Sequence, residues 1–299
     1  MSRYSITTVF STLLLLALLA SCKTADIRSE YALQSQTPSD FEKGRALLEE
    51  AYLAMGYNQF ANVETYEVKS VFDWKMPWGM MPMNALPGNK NNEIQFRFTP
   101  NTFDGQVTFL EGRKEGQTYG LQSWELYHQK DADASPEQIN NKRYGWGLPT
   151  YHYVIEAPMR LLQAEIIRYA GQAEHNGQQY ELVYATWGQD APHKEHDQWL
   201  VYINKETKMI DLTEITINDF FMPMPAGLKD GTILVERSLT SQGMYLPSFV
   251  TIQLGAPKKQ KKHVYTFTLT DYQFNTFQEE ELYPLDALPS FGDSKPVSK

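Results

Sequence analysis

Apolar residues recur along this chain at two different periods. From residue 39, Gly44, Leu47, Leu48, Ala51 and Met55 fall on one face at three- and four-residue steps, which predicts an amphipathic helix. Ser39-Asp40-Phe41-Glu42 precedes it as a capping box, and Gly56 is placed to end it. From Val63 the period falls to two. Tyr66, Val68, Phe72 and Trp74 share one face, and Glu67, Lys69, Asp73 and Lys75 the other, as in a half-buried strand. More strands follow at short intervals: NEIQFRF with Ile94, Phe96 and Phe98, then QVTFLEG, QTYGLQ and SWELYHQ as a meander. The interval 145–170 turns helical again, with Pro158 in the first turn, Leu161, Leu162, Ile166 and Tyr169 on one face, and Gly171 closing it. Asn176-Gly177 predicts a hairpin turn. YELVYATW, WLVYIN, a turn at 205–208, MIDLTEITI, TILVERSL, SFVTIQL and HVYTFTLTDYQF complete the pattern.

This amounts to about ten or eleven strands and two helical regions. Strands joined by short turns, without βαβ alternation, imply an antiparallel sheet. A sheet of that size curls, because strand twist accumulates. No linker-like stretch interrupts 39–285, which is expected to be one domain; 286–299, rich in Pro, Ser and Asp, is expected to be a flexible tail. The aromatic share of 13%, mostly Tyr and Phe, fits a mainly β chain. A net charge of −9 argues against a nucleic-acid partner, since phosphate binding needs a basic surface.

The first 21 residues have the form of a signal peptide: Arg3, then an apolar run from about Val9 to Ala20, too short to span a bilayer as a helix. The run ends Leu19-Ala20-Ser21-Cys22, and Cys22 is the only cysteine of the chain. The tetrapeptide resembles a bacterial lipobox, which implies that Cys22 is lipidated and becomes the mature N-terminus. Two or more acyl chains would make a stable anchor. Residues 22–38 are then expected to be the lipidated start and a polar tether. Lys23 followed by Asp26 loosely resembles the surface-export signal of some Gram-negative lipoproteins. The expected location is the bacterial envelope, lipid-anchored at the outer membrane, with periplasmic face or surface left open.

The order of elements resembles the LolA/LolB/LppX superfamily of bacterial lipoprotein and lipid carriers. The resemblance is carried by EKGRALLEEAYLAMGY running into VETYEVKSVFDW, by APMRLLQ, by QWLVYINKETKMIDLTEIT, and by HVYTFTLTDYQFN followed by EEELYP. It implies a mainly β (α+β) fold, an incomplete antiparallel barrel wrapped on one or two helices, with an apolar cavity for acyl chains. It also implies no catalytic machinery; no cofactor is expected. A lipobox sets this chain apart from the soluble carriers of that superfamily.

Two stretches stand out against this background. MPWGMMPMNALPG at 76–88 and FFMPMPAGL at 220–228 together hold six of the eleven methionines. Proline keeps them out of helices and central strands. Methionine, unbranched and polarizable, adapts to a flexible apolar ligand. Met76, Trp78, Met80, Met81, Met83, Leu86, Phe220, Phe221, Met222 and Met224 are therefore the candidate ligand residues at the mouth of the half-barrel. Acyl burial at about 0.8 kcal/mol per CH₂ gives a sixteen-carbon chain on the order of 12 kcal/mol before ordering costs. Other readings stay open: the two loops close a barrel end as satellite core, they meet an envelope protein partner through Trp78, or their thioethers hold Cu(I).

Remaining constellations are weaker. His193, Glu195, His196 and Asp197 offer either a surface zinc site or a solvated hairpin tip. Tyr151-His152-Tyr153 offers an acid/base group or a packed helix face. The lysines of PKKQKK at 257–262 offer headgroup contact or a soluble edge turn. No zinc-helix or nucleophile-elbow motif is present. The expected function is a membrane-anchored lipoprotein that binds an apolar or lipid-like ligand, without chemistry. The alternatives are an interaction or structural lipoprotein and, further off, a hydrolase of envelope glycans or lipids.

Overall fold

The computed structural model describes residues 24–80, 83–100, 102–224, 228–257 and 262–285. Among them, thirteen strands form a single antiparallel sheet in the order β6-β5-β4-β3-β2-β1-β13-β12-β11-β10-β9-β8-β7. In chain order these are β1 (Tyr66–Trp74), β2 (Glu93–Phe98), β3 (Gly105–Phe109), β4 (Thr118–Gln122), β5 (Glu125–Gln129), β6 (Glu137–Ile139), β7 (Ile166–His175), β8 (Gln178–Thr186), β9 (Trp199–Asn204), β10 (Ile210–Thr216), β11 (Asp230–Leu239), β12 (Tyr245–Leu254) and β13 (Lys262–Phe274). The helices are α1 (Glu30–Gln34), α2 (Pro38–Ala54) and α3 (Lys142–Leu161). β6 and β7 do not pair with each other, so the barrel is incomplete. The sheet is a chain of neighbouring antiparallel strands, closed at the centre by β1 against β13.

The main core lies where the sheet wraps α2 and α3. Leu48 and Ala51 of α2, its C-cap Met55, and Leu148, Tyr151, Val154 and Ile155 of α3 meet the inward residues of β1, β2 and β13. Phe72 stacks on Phe267 at 4.9 Å and meets Tyr151 edge-on at 5.1 Å. Such aromatic pairs add to the area they bury. A second, smaller cluster covers the other face of β7–β10, where Ile27 and Ala32 pack on Ala170, Leu182, Tyr184, Leu200 and Tyr202. β8 is thus apolar on both faces, Val183 and Ala185 toward one cluster and Leu182 and Tyr184 toward the other. That explains why YELVYATW is a near-continuous apolar run.

Local chemistry fixes the elements. The cap of α2, Thr37, lies two residues before the expected one. Pro38 takes the first helical position, and the Asp40 carboxylate accepts from Thr37 N–H at 2.9 Å, Ser35 Oγ at 2.7 Å and Tyr31 Oη at 2.8 Å. Those hydrogen bonds hold the Asp40 carboxyl well below the usual carboxylate range. The Thr37–Asp40 box therefore replaces the expected Ser39–Glu42 box. At the far end Gly56 adopts φ 74°, as expected of a helix stop. Asn176 and Gly177 have φ 50° and 80°, the signs a two-residue hairpin turn of the primed kind requires.

The second helix differs from expectation. It starts at Lys142 with Asn141 as its cap, the Asn141 Oδ1 accepting from Arg143 N–H at 3.1 Å. Pro158 lies in its last turns rather than its first, and Ile166 and Tyr169 belong to β7, paired with Thr186 and Val183. Two internal prolines, Pro149 and Pro158, each remove a backbone donor and disguised a stripe of Tyr144, Leu148, Tyr151 and Ile155. Most of β7 was hidden inside that helical interval, and three-residue β6 was too short to register; these bring the count to thirteen.

The segment from Ile27 to Ser35, expected within a tether, packs on the sheet. Ile27 and Ala32 are buried, and Ser29 Oγ donates to the Ala170 carbonyl at 2.5 Å. The chain then folds around edge strand β7, and α2 lies so close that a Cβ on Gly44 would run into the backbone of Arg168 and Tyr169. Backbone cannot yield as a flexible side chain does. Gly44→Val is expected to cost about 1–3 kcal/mol, and more if helix and strand part, read as a lower denaturation midpoint at unchanged m. An unchanged midpoint would show that α2 does not rest on β7.

Candidate functional site

Because neighbouring strands alternate in direction, alternate connections leave from one end of the sheet. The β1–β2 (75–92), β8–β9 (187–198) and β10–β11 (217–229) connections share that end: Trp74 pairs with Tyr265 near the start of β13, Leu254 with Gly231, Thr216 with Asp230, and Trp199 with Ile215. Both methionine-proline runs therefore emerge together, although their starts lie 144 residues apart in the chain.

They land on the same turn of α3. From the first run, Ala85 and Leu86 sit against Gly147, where an added Cβ would lie 2.9 Å from the Ala85 Cβ and 3.2 Å from Leu86 Cδ2. Glycine at 147 lets the loop lie directly on the helix. The loop is fastened by Asn89, which is buried: its Oδ1 accepts from Trp74 Nε1 at 3.3 Å and from Asn84 Nδ2 at 2.7 Å. From the second run, Phe220 and Phe221 meet the neighbouring Trp146, ring centroids 4.7 and 6.0 Å away, and Arg143 lies 5.7 Å over the Phe221 ring. Trp146 Nε1 donates to Asp219 Oδ1 at 3.1 Å.

The sequence-derived residues divide accordingly. Leu86 is fully buried and forms the floor. Trp78, Met83, Phe220, Phe221, Met222 and Met224 are half-buried, and Met76 is 60% exposed. The side chain of Met80, and Met81 altogether, lie outside the described residues, as does Cys22. Trp146 and Gly147, which join the two runs, fall inside the helical interval 145–170 but were missed because its first turn was placed at Pro158. The Asn141 cap followed by the Tyr144/Leu148/Tyr151 stripe was the available signal.

Beneath this rim α3 carries a buried ionic network. Glu156 accepts from His152 Nε2 at 2.7 Å, Arg160 Nη2 at 2.8 Å and Tyr66 Oη at 2.9 Å, and all four side chains are sealed from solvent. Burial opposes ionisation of Glu156, but the His152 and Arg160 charges and the hydrogen bonds outweigh it and hold its carboxyl below the usual range. The His152 ring stacks on Phe98 at 4.2 Å. In this arrangement His152 meets no substrate; it braces the helix to β1 and β2.

The histidine cluster of the β8–β9 connection does not assemble a metal site: among the described residues no group of three His, Cys, Asp or Glu side chains is placed to hold one. His193 Nε2 faces the Trp187 carbonyl at 3.0 Å. Asp197 turns away to accept from Thr216 Oγ1 at 2.9 Å and Asn218 N–H at 2.8 Å. Burial, and then the charge of Asp219, push its carboxyl up to about 7. The folded protein thus holds a proton on Asp197 that the unfolded chain releases near pH 4. Stability from this group is full below pH 4 and declines as pH rises from 4 through 7, with no further loss above. Denaturation midpoints across pH 4–8 are expected to show this fall, and Asp197→Asn to flatten it; an equally steep fall in the variant would contradict the assignment. Lys258, Lys259 and Lys261 of the basic turn lie outside the described residues.

An open antiparallel sheet wrapped on helices, with an apolar rim at one end, defines an incomplete-barrel class of protein. Within that class the fold is LolA-like. A LolA superfamily protein from Nitrosomonas europaea is similar over 80% of this chain and 96% of its own, with a TM-score of 0.50 at 10% identity. A DUF1329 family protein from Desulfovibrio piger is similar over 82% of this chain and 97% of its own, with a TM-score of 0.49 at 8% identity. The fold conclusion rests on the former, and at that identity it extends to the fold alone. No family model matches the chain, and no curated protein matches it in sequence.

Proposed function

We propose that this protein is a lipoprotein of the bacterial envelope, anchored through Cys22, which binds an apolar, lipid-like ligand without chemistry. The observation that carries the reading is the meeting of both methionine-proline runs on Trp146 and Gly147 of α3, at one end of an open LolA-like sheet. The half-buried Trp78, Met83, Phe220, Phe221, Met222 and Met224 supply the ligand contacts. Their thioethers and rings are apolar, and the methionines re-pack around chains of varying shape. Leu86 and Gly147 give the contacts a fixed floor. α3 and its aromatic partners, Tyr151 among them, line the concave side beneath the rim, so the hydrocarbon lies between the rim loops and an apolar helix face.

Titration with a fluorescent fatty acid tests this. Phe220→Ala with Phe221→Ala is expected to weaken binding by about tenfold or more, since each truncated ring gives up roughly 1–2 kcal/mol of contact. The melting temperature should stay close to that of the parent, because both rings are peripheral. A parent protein that takes up no probe, or a double variant that binds it equally well, would contradict the site.

A further inference from the structure

The first described residues stand at the same end of the sheet as the apolar rim. Ile27 N–H donates to Gln198 Oε1 at 3.1 Å, and Gln198 N–H donates to Thr216 Oγ1 at 2.8 Å. Thr216 ends β10 and leads straight into the connection that carries Phe220, Phe221 and Met222. In that connection Asn218 N–H is held by Asp197. The N-terminal segment is therefore fastened two hydrogen bonds from the rim loop. It is not free to swing: Ile27 is buried, and Arg28 Nη1 is bound to Asp190 Oδ2 at 3.0 Å.

Cys22 precedes Ile27 by five residues. Fully extended, five residues reach at most about 17 Å. An acyl chain on Cys22 thus enters the bilayer close to this end of the sheet, and the opposite end has no such leash. We propose that the rim itself is a bilayer-contacting surface, with Met76, Trp78, Phe220 and Met222 at the acyl boundary. This rests on the proposed lipidation of Cys22. Chemistry agrees with placement. Tryptophan favours the interface between headgroups and hydrocarbon. Met76 is a large apolar side chain left mostly exposed. Lys90 and Lys142, exposed beside the two runs, stand where anionic headgroups would lie. A ligand would then pass between membrane and rim without crossing water.

The test uses the acylated full chain in vesicles of phosphatidylethanolamine and phosphatidylglycerol with doxyl-labelled acyl chains. Cys22 is the chain's only cysteine, so acylation leaves no other thiol to react with a dye. Met76→Cys, Met222→Cys and, in the β11–β12 connection at the opposite end, Ser241→Cys are each labelled with an environment-sensitive fluorophore. Emission is expected to shift to the blue and be quenched at 76 and 222, and to be unchanged at 241. Aqueous emission at all three with the protein on the vesicles, or quenching at 241 instead, would overturn the proposal. So would a mass spectrum showing Cys22 unmodified in the envelope-extracted protein. None of these outcomes touches the fatty-acid titration, which judges the ligand reading by itself.

Discussion

Glu156→Ala lowers the stability of this protein by about 3–5 kcal/mol, the expected penalty for removing one partner of a buried ion pair. Arg160 is 2% exposed, and Glu156 is the carboxylate it meets, at 2.8 Å. Alanine removes that carboxylate from the guanidinium, which keeps the Thr102 carbonyl, and takes the acceptor from Tyr66 and His152 as well. The penalty belongs to the orphaned charge rather than to the pair. Glu156→Leu combined with Arg160→Met is accordingly expected to recover most of the loss, since well-packed apolar replacements of buried pairs are often neutral or better. Because the Glu156 carboxyl is held below its ordinary 4.5, its contribution is present above that pH and is lost as pH falls below it. Urea denaturation of the single and double variants checks all three statements. A loss under about 1 kcal/mol for the single variant would show that Arg160 reaches solvent.

Asp190→Ala has a comparable effect for a related reason. Arg168 is fully buried on β7, and its Nε and Nη2 donate to the two Asp190 oxygens at 2.6 and 3.0 Å. The same carboxylate takes Arg28 Nη1 at 3.0 Å and Gln36 Nε2 at 3.2 Å. It is the knot that ties the N-terminal segment to the sheet. Removing it leaves a buried cation without its bidentate partner, at a cost of about 3–5 kcal/mol. It also frees residues 27–36, whose amides are expected to exchange with solvent faster than those of β8. Arg28→Ala removes only a peripheral partner and is expected to cost about 1 kcal/mol or less. Equal losses for the two variants would mean that Arg168 finds another acceptor.

Much of this architecture was legible in the chain. Period-two runs such as Tyr66 to Trp74 and the Asn176-Gly177 turn appear where alternation and turn chemistry place them. What alternation could not show was the second buried face of β8, because a strand covered on both sides loses its period. The long helix was obscured by Pro149 and Pro158, residues that ordinarily argue against a helix interior. That misplacement concealed Trp146 and Gly147, and with them the meeting point of the two methionine-proline runs. The runs themselves were conspicuous from composition, but a contact between segments whose starts lie 144 residues apart is set by strand order, which local pattern does not encode. The polar sequence from Lys23 to Pro38 suggested a tether, yet buried Ile27 and Ala32, with Tyr31 edge-on to Tyr169 at 5.1 Å, seat it on the sheet.

Protein extracted from its own cells in mild detergent can be weighed by native mass spectrometry beside a delipidated sample. If hydrocarbon is held at the rim, the extracted protein carries one further lipid-sized mass beyond any acyl chains that Cys22 bears, and the Phe220→Ala, Phe221→Ala protein does not. If the extracted protein weighs no more than the covalent polypeptide, with whatever Cys22 bears, and stays so when offered excess lipid, the open sheet holds no such ligand.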